Sequence, residues 1–183
     1  RLILAMPNSI DNVLCMYGAY KAGLTVVPTN IMLKDFEIEH LLRDTQAPII
    51  ITTSDFMQQF PPKGKFNSLQ HVVLAAGPKL ASEKMPTHLL GDLIDAGKEE
   101  FEPLQPKTQD IAAIFYTSGT TGNRKGAMLS HKLMFDHSAQ IVQVLSMTAE
   151  DKHIVVLQMS HLFVQSVVVT PSILSGGTAF IVR

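Results

Sequence analysis

The sequence predicts an α/β fold of mostly parallel sheets flanked by helices, and three observations carry that prediction. An apolar run, a segment of helical period and a second apolar run succeed one another between Arg1 and Pro28, and a strand, helix and strand within about 30 residues imply a parallel pair. The alternation continues from Asp35 to Ile51, which adds a further helix and strand. Finally, a glycine- and hydroxyl-rich stretch, Tyr116 to Gly126, lies between the apolar run Ile111 to Phe115 and the strand-like segment Ala127-Met128-Leu129.

Taken in order, Arg1 to Met6 reads as a buried strand, ended by Pro7-Asn8-Ser9, a turn that opens a helix. That helix runs from Ile10 to Ala22, with Val13, Leu14, Tyr17 and Tyr20 recurring near helical spacing and Gly23 where a left-handed cap would end it. Lys21 reads as a cation at the negative end of the helix dipole. Leu24 to Val27 is the second strand, closed by Pro28. A helix over Asp35 to Asp44 takes Phe36, Ile38, Leu41 and Leu42 as its inward face and leaves Glu37, Glu39, Arg43 and Asp44 in solvent. Pro48 to Ile51 follows as a strand.

From Asp55 to Asn67 the period is lost, and Pro61-Pro62-Lys63-Gly64 marks an exposed loop. His71 to Ala75 is another strand. The stretch from Gly77 to Lys107 is polar and proline-bearing, with one short helix expected over His88 to Ala96. Its Glu99, Glu100 and Glu102 read as a surface charge run rather than a paired-carboxylate site. Ser130 is placed to cap a helix over His131 to Ser146 that buries Met134, Phe135, Ile141, Val142 and Leu145. His153 to Leu157 is a strand, Leu162 to Leu174 an apolar helix, and Thr178 to Val182 a last strand entered through Gly176-Gly177. A division near residue 108 is expected, with a βαβ unit before it and a unit built on the glycine-rich loop after it.

Composition narrows the possible roles. With 183 residues, 46% hydrophobic and 17% charged, the chain can bury a sizeable core. A net charge of −1 and an isoelectric point near 6.7 give no electrostatic ground for nucleic acid or an anionic membrane as partner. The lone cysteine, Cys15, excludes an intrachain disulfide and suits a reducing compartment such as the cytoplasm, and its apolar helical setting reads as a buried small side chain. No secretory leader is expected, and no transmembrane span: Ile154 to Leu174 is broken by Gln158, Ser160, His161, Gln165 and Pro171. The seven histidines show no metal-binding spacing, and His131 and His137 read as helix-surface or partly buried groups rather than ligands. Oligomeric state is not legible.

The stretch Tyr116-Thr117-Ser118-Gly119-Thr120-Thr121-Gly122-Asn123-Arg124-Lys125-Gly126 reads as a phosphate cradle. Its glycines let the backbone turn its N–H groups onto an anion, and the hydroxyls of Thr117, Ser118, Thr120 and Thr121 offer donors and metal ligands. Lys125 supplies a positive point charge. The wiring is not that of the Walker loop, because Lys125 is followed by Gly126 and strand-like residues, and no Gly-x-Gly-x-x-Gly occurs. A flexible Ser/Thr/Gly linker is the plainer reading. His161 stands between a strand and an apolar helix, the place where open α/β sheets bind ligands; a buried structural histidine is the alternative.

This stretch, continued by Ala-Met-Leu-Ser-His at 127–131, resembles the signature of the adenylate-forming superfamily: acyl-CoA synthetases, luciferases and peptide-synthetase adenylation domains. Pro7-Asn8-Ser9, Lys21-Ala22-Gly23 and Val27-Pro28 resemble that superfamily's opening in the same order. Two places depart from its pattern. Arg124 stands where proline usually precedes the lysine, which implies either a looser loop or a second cation by the phosphates. Val164 and Ser160 stand where the family has glycine and an aromatic residue around the histidine.

The resemblance implies that a carboxylate attacks the α-phosphorus of ATP and that a thiol, most often that of coenzyme A, then takes the acyl group. Thr117, Ser118, Gly119, Thr120, Thr121, Gly122 and Lys125 would bind the nucleotide, Thr117 would also meet Mg²⁺, and Lys125 and His161 would serve catalysis. Met159, Phe163 and Val164 could floor an apolar acyl pocket, favouring a fatty or aryl acid, or could be plain core. The chain is expected to be part of the N-terminal domain, without the C-terminal domain that carries a further catalytic lysine, and to be inactive alone. An adenylation domain that loads a carrier protein and a non-catalytic nucleotide-binding module are the competing readings.

Overall fold

The computed structural model describes residues 1–58, 60, 67–77, 86–98, 100–117 and 124–182. Strand β1 (Leu2–Ala5) is followed by α1 (Ile10–Lys21), β2 (Val26–Pro28), α2 (Asp35–Thr45), β3 (Ile49–Thr53), α3 (Ser54–Met57), β4 (His71–Ala76), β5 (Thr87–Leu89) and α4 (Leu90–Asp95). Then come β6 (Ile111–Thr117), β7 (Lys125–Ser130), α5 (His131–Val144), β8 (Lys152–Val155), a π-helical segment (Val164–Val169), α6 (Thr170–Ser175) and β9 (Thr178–Ile181). Seven strands form one sheet in the order β5-β4-β3-β1-β2-β6-β7, parallel except for β7, and β8 and β9 form a separate parallel pair. The α/β architecture of mostly parallel strands is therefore as expected.

Strand β1 lies inside the large sheet, and all four of its residues are buried, as a parallel strand covered on both faces requires. Its side chains alternate. Ile3 and Ala5 join Val27, Ile50 and the Ile38, Leu41 and Leu42 face of α2, while Leu2 and Leu4 join Val26 and the Cys15, Met16 and Ala19 face of α1. Helix α1 also touches the second sheet, because Val13 and Tyr17 pack on the cluster of Val155, Met159, Val164 and Val169.

Local signals explain most boundaries. The Ser9 hydroxyl accepts the Asn12 N–H at 3.1 Å and starts α1, while Gly23, at φ +71°, ends its run in the left-handed conformation. Ser130 does the same for α5, accepting from Leu133 N at 3.2 Å. Pro171, at the start of α6, has no N–H to return to the preceding turn, and the helix before it widens into the π-helical segment. Gln165, wholly buried there, donates from Nε2 to the Met159 carbonyl at 2.6 Å.

Four expected core residues are instead exposed: Leu14, Phe36, Phe135 and Leu145. Phe36 precedes Ile38 by two positions, about 200° around the helix, so the two cannot share a face. Leu145 lies past the end of α5 at Val144. The helix expected over His88 to Ala96 begins only at Leu90, because Thr87–Leu89 pairs in parallel with β4 as the edge strand β5. Within the aperiodic stretch after Asp55 sits the end of α3, capped by Thr53. The Pro61 to Gly64 loop and Glu99 lie outside the described residues.

Candidate functional site

Helical crossovers bring β2 and β6 side by side in parallel, so the chain leaves both at one rim of the sheet, where open α/β sheets gather ligands. A cavity of about 380 Å³ opens there. Its walls come from Pro28 at the end of β2 and Thr29 and Asn30 after it, from Phe115, Tyr116 and Thr117 at the end of β6, from Arg124, and from Ser160, His161 and Leu162 after β8. Thr117 and His161, 44 positions apart in sequence, thus face one space. Thr117 is exposed at the last position of β6, and its partner across the antiparallel β6–β7 ladder is Lys125, also exposed, the first residue of β7. Ser118, Gly119, Thr120, Thr121 and Gly122 lie outside the described residues.

His161 is exposed, which removes the alternative of a buried structural histidine. The turn carrying it is fixed from two sides. Its N–H bonds the Gln158 carbonyl at 3.0 Å, and its carbonyl accepts the Gln165 N–H at 3.2 Å. Asn8, in the turn after β1, holds the same turn by accepting Met159 N–H at 2.8 Å and donating to the carbonyls of Leu157 at 2.9 Å and Val182 at 3.1 Å. Met159 and Val164 are buried core residues and Phe163 is exposed; none of the three lines the cavity with His161.

Gly126 needs no unusual backbone angle. It sits inside β7 opposite Tyr116, where a Cβ would meet Ile114 Cγ2 at 2.7 Å and the Tyr116 ring at 3.2 Å. Space for that ring, rather than a turn, is what demands glycine.

The charged face of α2 is the feature that sequence reasoning missed. Glu37 Oε1 accepts both Nε and Nη2 of Arg124 at 2.8 Å, and Glu37 Oε2 accepts the Lys34 N–H at 3.0 Å. His40 Nε2 donates to the Arg124 carbonyl at 3.1 Å, and Asp44 accepts the Tyr116 hydroxyl. So Glu37 and Asp44 are not a free solvated face, and Arg124 is tethered rather than loosened, its charge offset by Glu37. Burial raises the Glu37 carboxyl, but the Lys34 N–H, the Arg124 hydrogen bond and the nearby positive charges outweigh it and hold the group below its ordinary value. Burial, together with the Asp44 carboxylate, pushes the Tyr116 phenol up. The spacing of Glu37, His40 and Asp44 was visible in the sequence; partners more than 70 residues away were not.

The AMP-binding enzyme family matches residues 1–183. A long-chain-fatty-acid–CoA ligase of Salmonella typhimurium is 30% identical over 163 residues, covering 77% of this chain and 29% of that ligase. Two solved structures share the fold. A long-chain-fatty-acid-CoA ligase (FadD1) of Archaeoglobus fulgidus superposes with a TM-score of 0.82 at 26% identity, covering 98% of this chain and 34% of that one. The anthranilate CoA ligase AuaEII, in complex with anthranoyl-AMP, gives a TM-score of 0.87 at 25% identity, covering 100% of this chain and 35% of that one. The chain therefore spans about a third of the length of these relatives. Matched over all of its residues, the chain belongs to the family of AMP-binding enzymes.

Proposed function

We propose that the full-length protein activates a carboxylic acid with ATP and passes the acyl group to coenzyme A. The observation that carries this reading is the shared cavity: a threonine from the glycine-rich signature and a histidine from the second sheet face one space at the rim of a parallel sheet. A carboxylate oxygen attacks the α-phosphorus, pyrophosphate leaves, and the acyl-adenylate then yields its acyl group to the thiol with release of AMP and a proton. Lys125, Thr117 and the loop residues Ser118, Gly119, Thr120, Thr121 and Gly122 are assigned to the phosphates, where their donors would offset the charge that builds up on the leaving pyrophosphate. His161 is assigned to orienting the carboxylate or the α-phosphate.

Mg²⁺, when bound with ATP, supplies further neutralisation of the phosphate oxygens. Such an ion would ordinarily share phosphate oxygens and waters with one or two carboxylates, and a Ser/Thr hydroxyl beside a phosphate loop would serve as a further ligand. Thr117 is that hydroxyl, and among the described residues no three His, Cys, Asp or Glu side chains gather to hold a metal. The acceptor is proposed as coenzyme A rather than a carrier protein because the relatives above are named as CoA ligases. The acid is proposed to be fatty or otherwise apolar, on the same ground, and the location cytoplasmic.

ATP–pyrophosphate exchange by the full-length protein tests the proposal. Lys125→Ala is expected to lower kcat/KM for ATP by about 10- to 100-fold, and His161→Ala to lower kcat with little change in either KM. Exchange that is indifferent to Lys125→Ala overturns the assignment, and exchange by the 183-residue chain alone would contradict its expected inactivity.

A further inference from the structure

Glu37, His40 and Asp44 follow one another on α2 at i, i+3 and i+7, so they project from one helix face. All three reach the β6–β7 hairpin. Glu37 grips the Arg124 guanidinium at two nitrogens, each 2.8 Å from Oε1, in a pair whose side chains are only 30% and 20% exposed. His40 holds the Arg124 backbone carbonyl at 3.1 Å, and its ring meets that of Tyr116 edge-on, with centroids 6.5 Å apart. Asp44 takes the Tyr116 hydroxyl. Tyr116 lies in β6 and Arg124 immediately precedes β7, each next to a residue assigned to the nucleotide: Tyr116 precedes Thr117, and Arg124 precedes Lys125.

The placement is economical in charge as well as geometry. Arg124 lines the cavity, yet its charge is offset by Glu37, so the ion pair acts on where the strand lies rather than as a second free cation. Glu37 also accepts the Lys34 N–H, the return half of a capping box, so one carboxylate couples the start of α2 to the start of β7.

We propose that Glu37, His40 and Asp44 are positioning residues that, through Arg124 and Tyr116, fix where Thr117 and Lys125 stand relative to the nucleotide phosphates. The inference rests on the assignment of Thr117 and Lys125 to those phosphates. Catalytic groups misplaced by about 1 Å can cost about 100-fold in rate, so a clamp on both stems bears directly on how ATP is held.

The test is ATP–pyrophosphate exchange by the full-length protein carrying Glu37→Gln, Arg124→Gln, the double variant, and Tyr116→Phe, with Lys125→Ala alongside and the thermal midpoint measured for each. Each clamp variant is expected to raise KM for MgATP by about 5- to 20-fold while KM for the acid stays within about twofold. The double variant should be no worse than the poorer single one, because the two residues act as a unit. Tyr116→Phe keeps the ring over Gly126 and removes only the hydroxyl, so it reports on the Asp44 link even if an ion-pair variant fails to fold. The inference is overturned if Lys125→Ala raises KM for MgATP while the clamp variants do not, or if the clamp variants raise both KM values in parallel with a lost thermal midpoint. Should Lys125→Ala itself leave KM for MgATP unchanged, the phosphate assignment falls and the clamp with it.

Discussion

Gly126 lies directly across the β6–β7 ladder from Tyr116, so close that a methyl group on Gly126 would stand 3.2 Å from the tyrosine ring and 2.7 Å from Ile114 Cγ2. Gly126→Ala must therefore push on Ile114, which is largely buried, and on Tyr116, which Asp44 holds. Overpacking of this kind costs about 1–3 kcal/mol, which urea unfolding of the full-length protein will read as a lower midpoint at unchanged slope. An unchanged midpoint would mean that the ring moves aside freely.

The face of α2 that meets the sheet can be tested by contrast. Leu42 is wholly buried among Ile3, Ile50 and Leu41, and Leu42→Ala should lower stability by about 2–5 kcal/mol. Phe36, 64% exposed six positions earlier, should tolerate alanine within about 0.5 kcal/mol. Equal losses in the two variants would place the helix at another rotation.

Stability should fall at both ends of the pH scale for identifiable reasons. Glu37 is held below its ordinary value of 4.5, so unfolding takes up protons in acid; the stability it confers is present above that value and is lost as pH falls through the folded value. Glu37→Gln should flatten the acid limb of a thermal-midpoint profile. Cys15 behaves with the opposite sign. Burial, and then the charge of Asp11, push its thiol from 9.0 to about 11, so its contribution is intact below 9.0 and is lost as pH rises through about 11. Cys15→Ala should soften the alkaline limb, and the native thiol should resist alkylation near neutral pH until the chain is unfolded.

How much of this was legible beforehand follows from how local each signal is. Ser9, Gly23 and Ser130 act on their own neighbours, and the helices they bound lie within two residues of where they were expected. The facing of those helices was less legible: α1 packs on two sheets at once, through Met16 and Ala19 on one side and Val13 and Tyr17 on another, so a single apolar stripe was the wrong template. Strand β5 was missed because three residues, Thr87–Leu89, carry too little period to declare a strand without β4 beside them. At the site, the glycine-rich signature was read directly. The Glu37–Arg124 pair was not, since charges on a helix ordinarily face water and only the fold brings residues 87 positions apart into contact.

Replacing Asn8 should disclose how the His161 turn is held. With Asn8→Ala, the Met159 N–H and the carbonyls of Leu157 and Val182 lose their side-chain partners, which should lower stability by about 0.5–1.5 kcal/mol, since water reaches the two carbonyls. A larger loss in kcat than in KM for ATP is expected, read by the same exchange assay. If kcat is retained, the turn keeps its place without the amide.

That one carboxamide has a practical corollary for anyone grafting this scaffold. Because it touches backbone just after β8 and just after β9 from the turn after β1, the β8–β9 segment cannot be exchanged for a relative's as a self-contained cassette. A hybrid that imports a new β8–β9 segment but leaves position 8 mismatched should dock it askew, and restoring asparagine there is the single swap expected to reseat it.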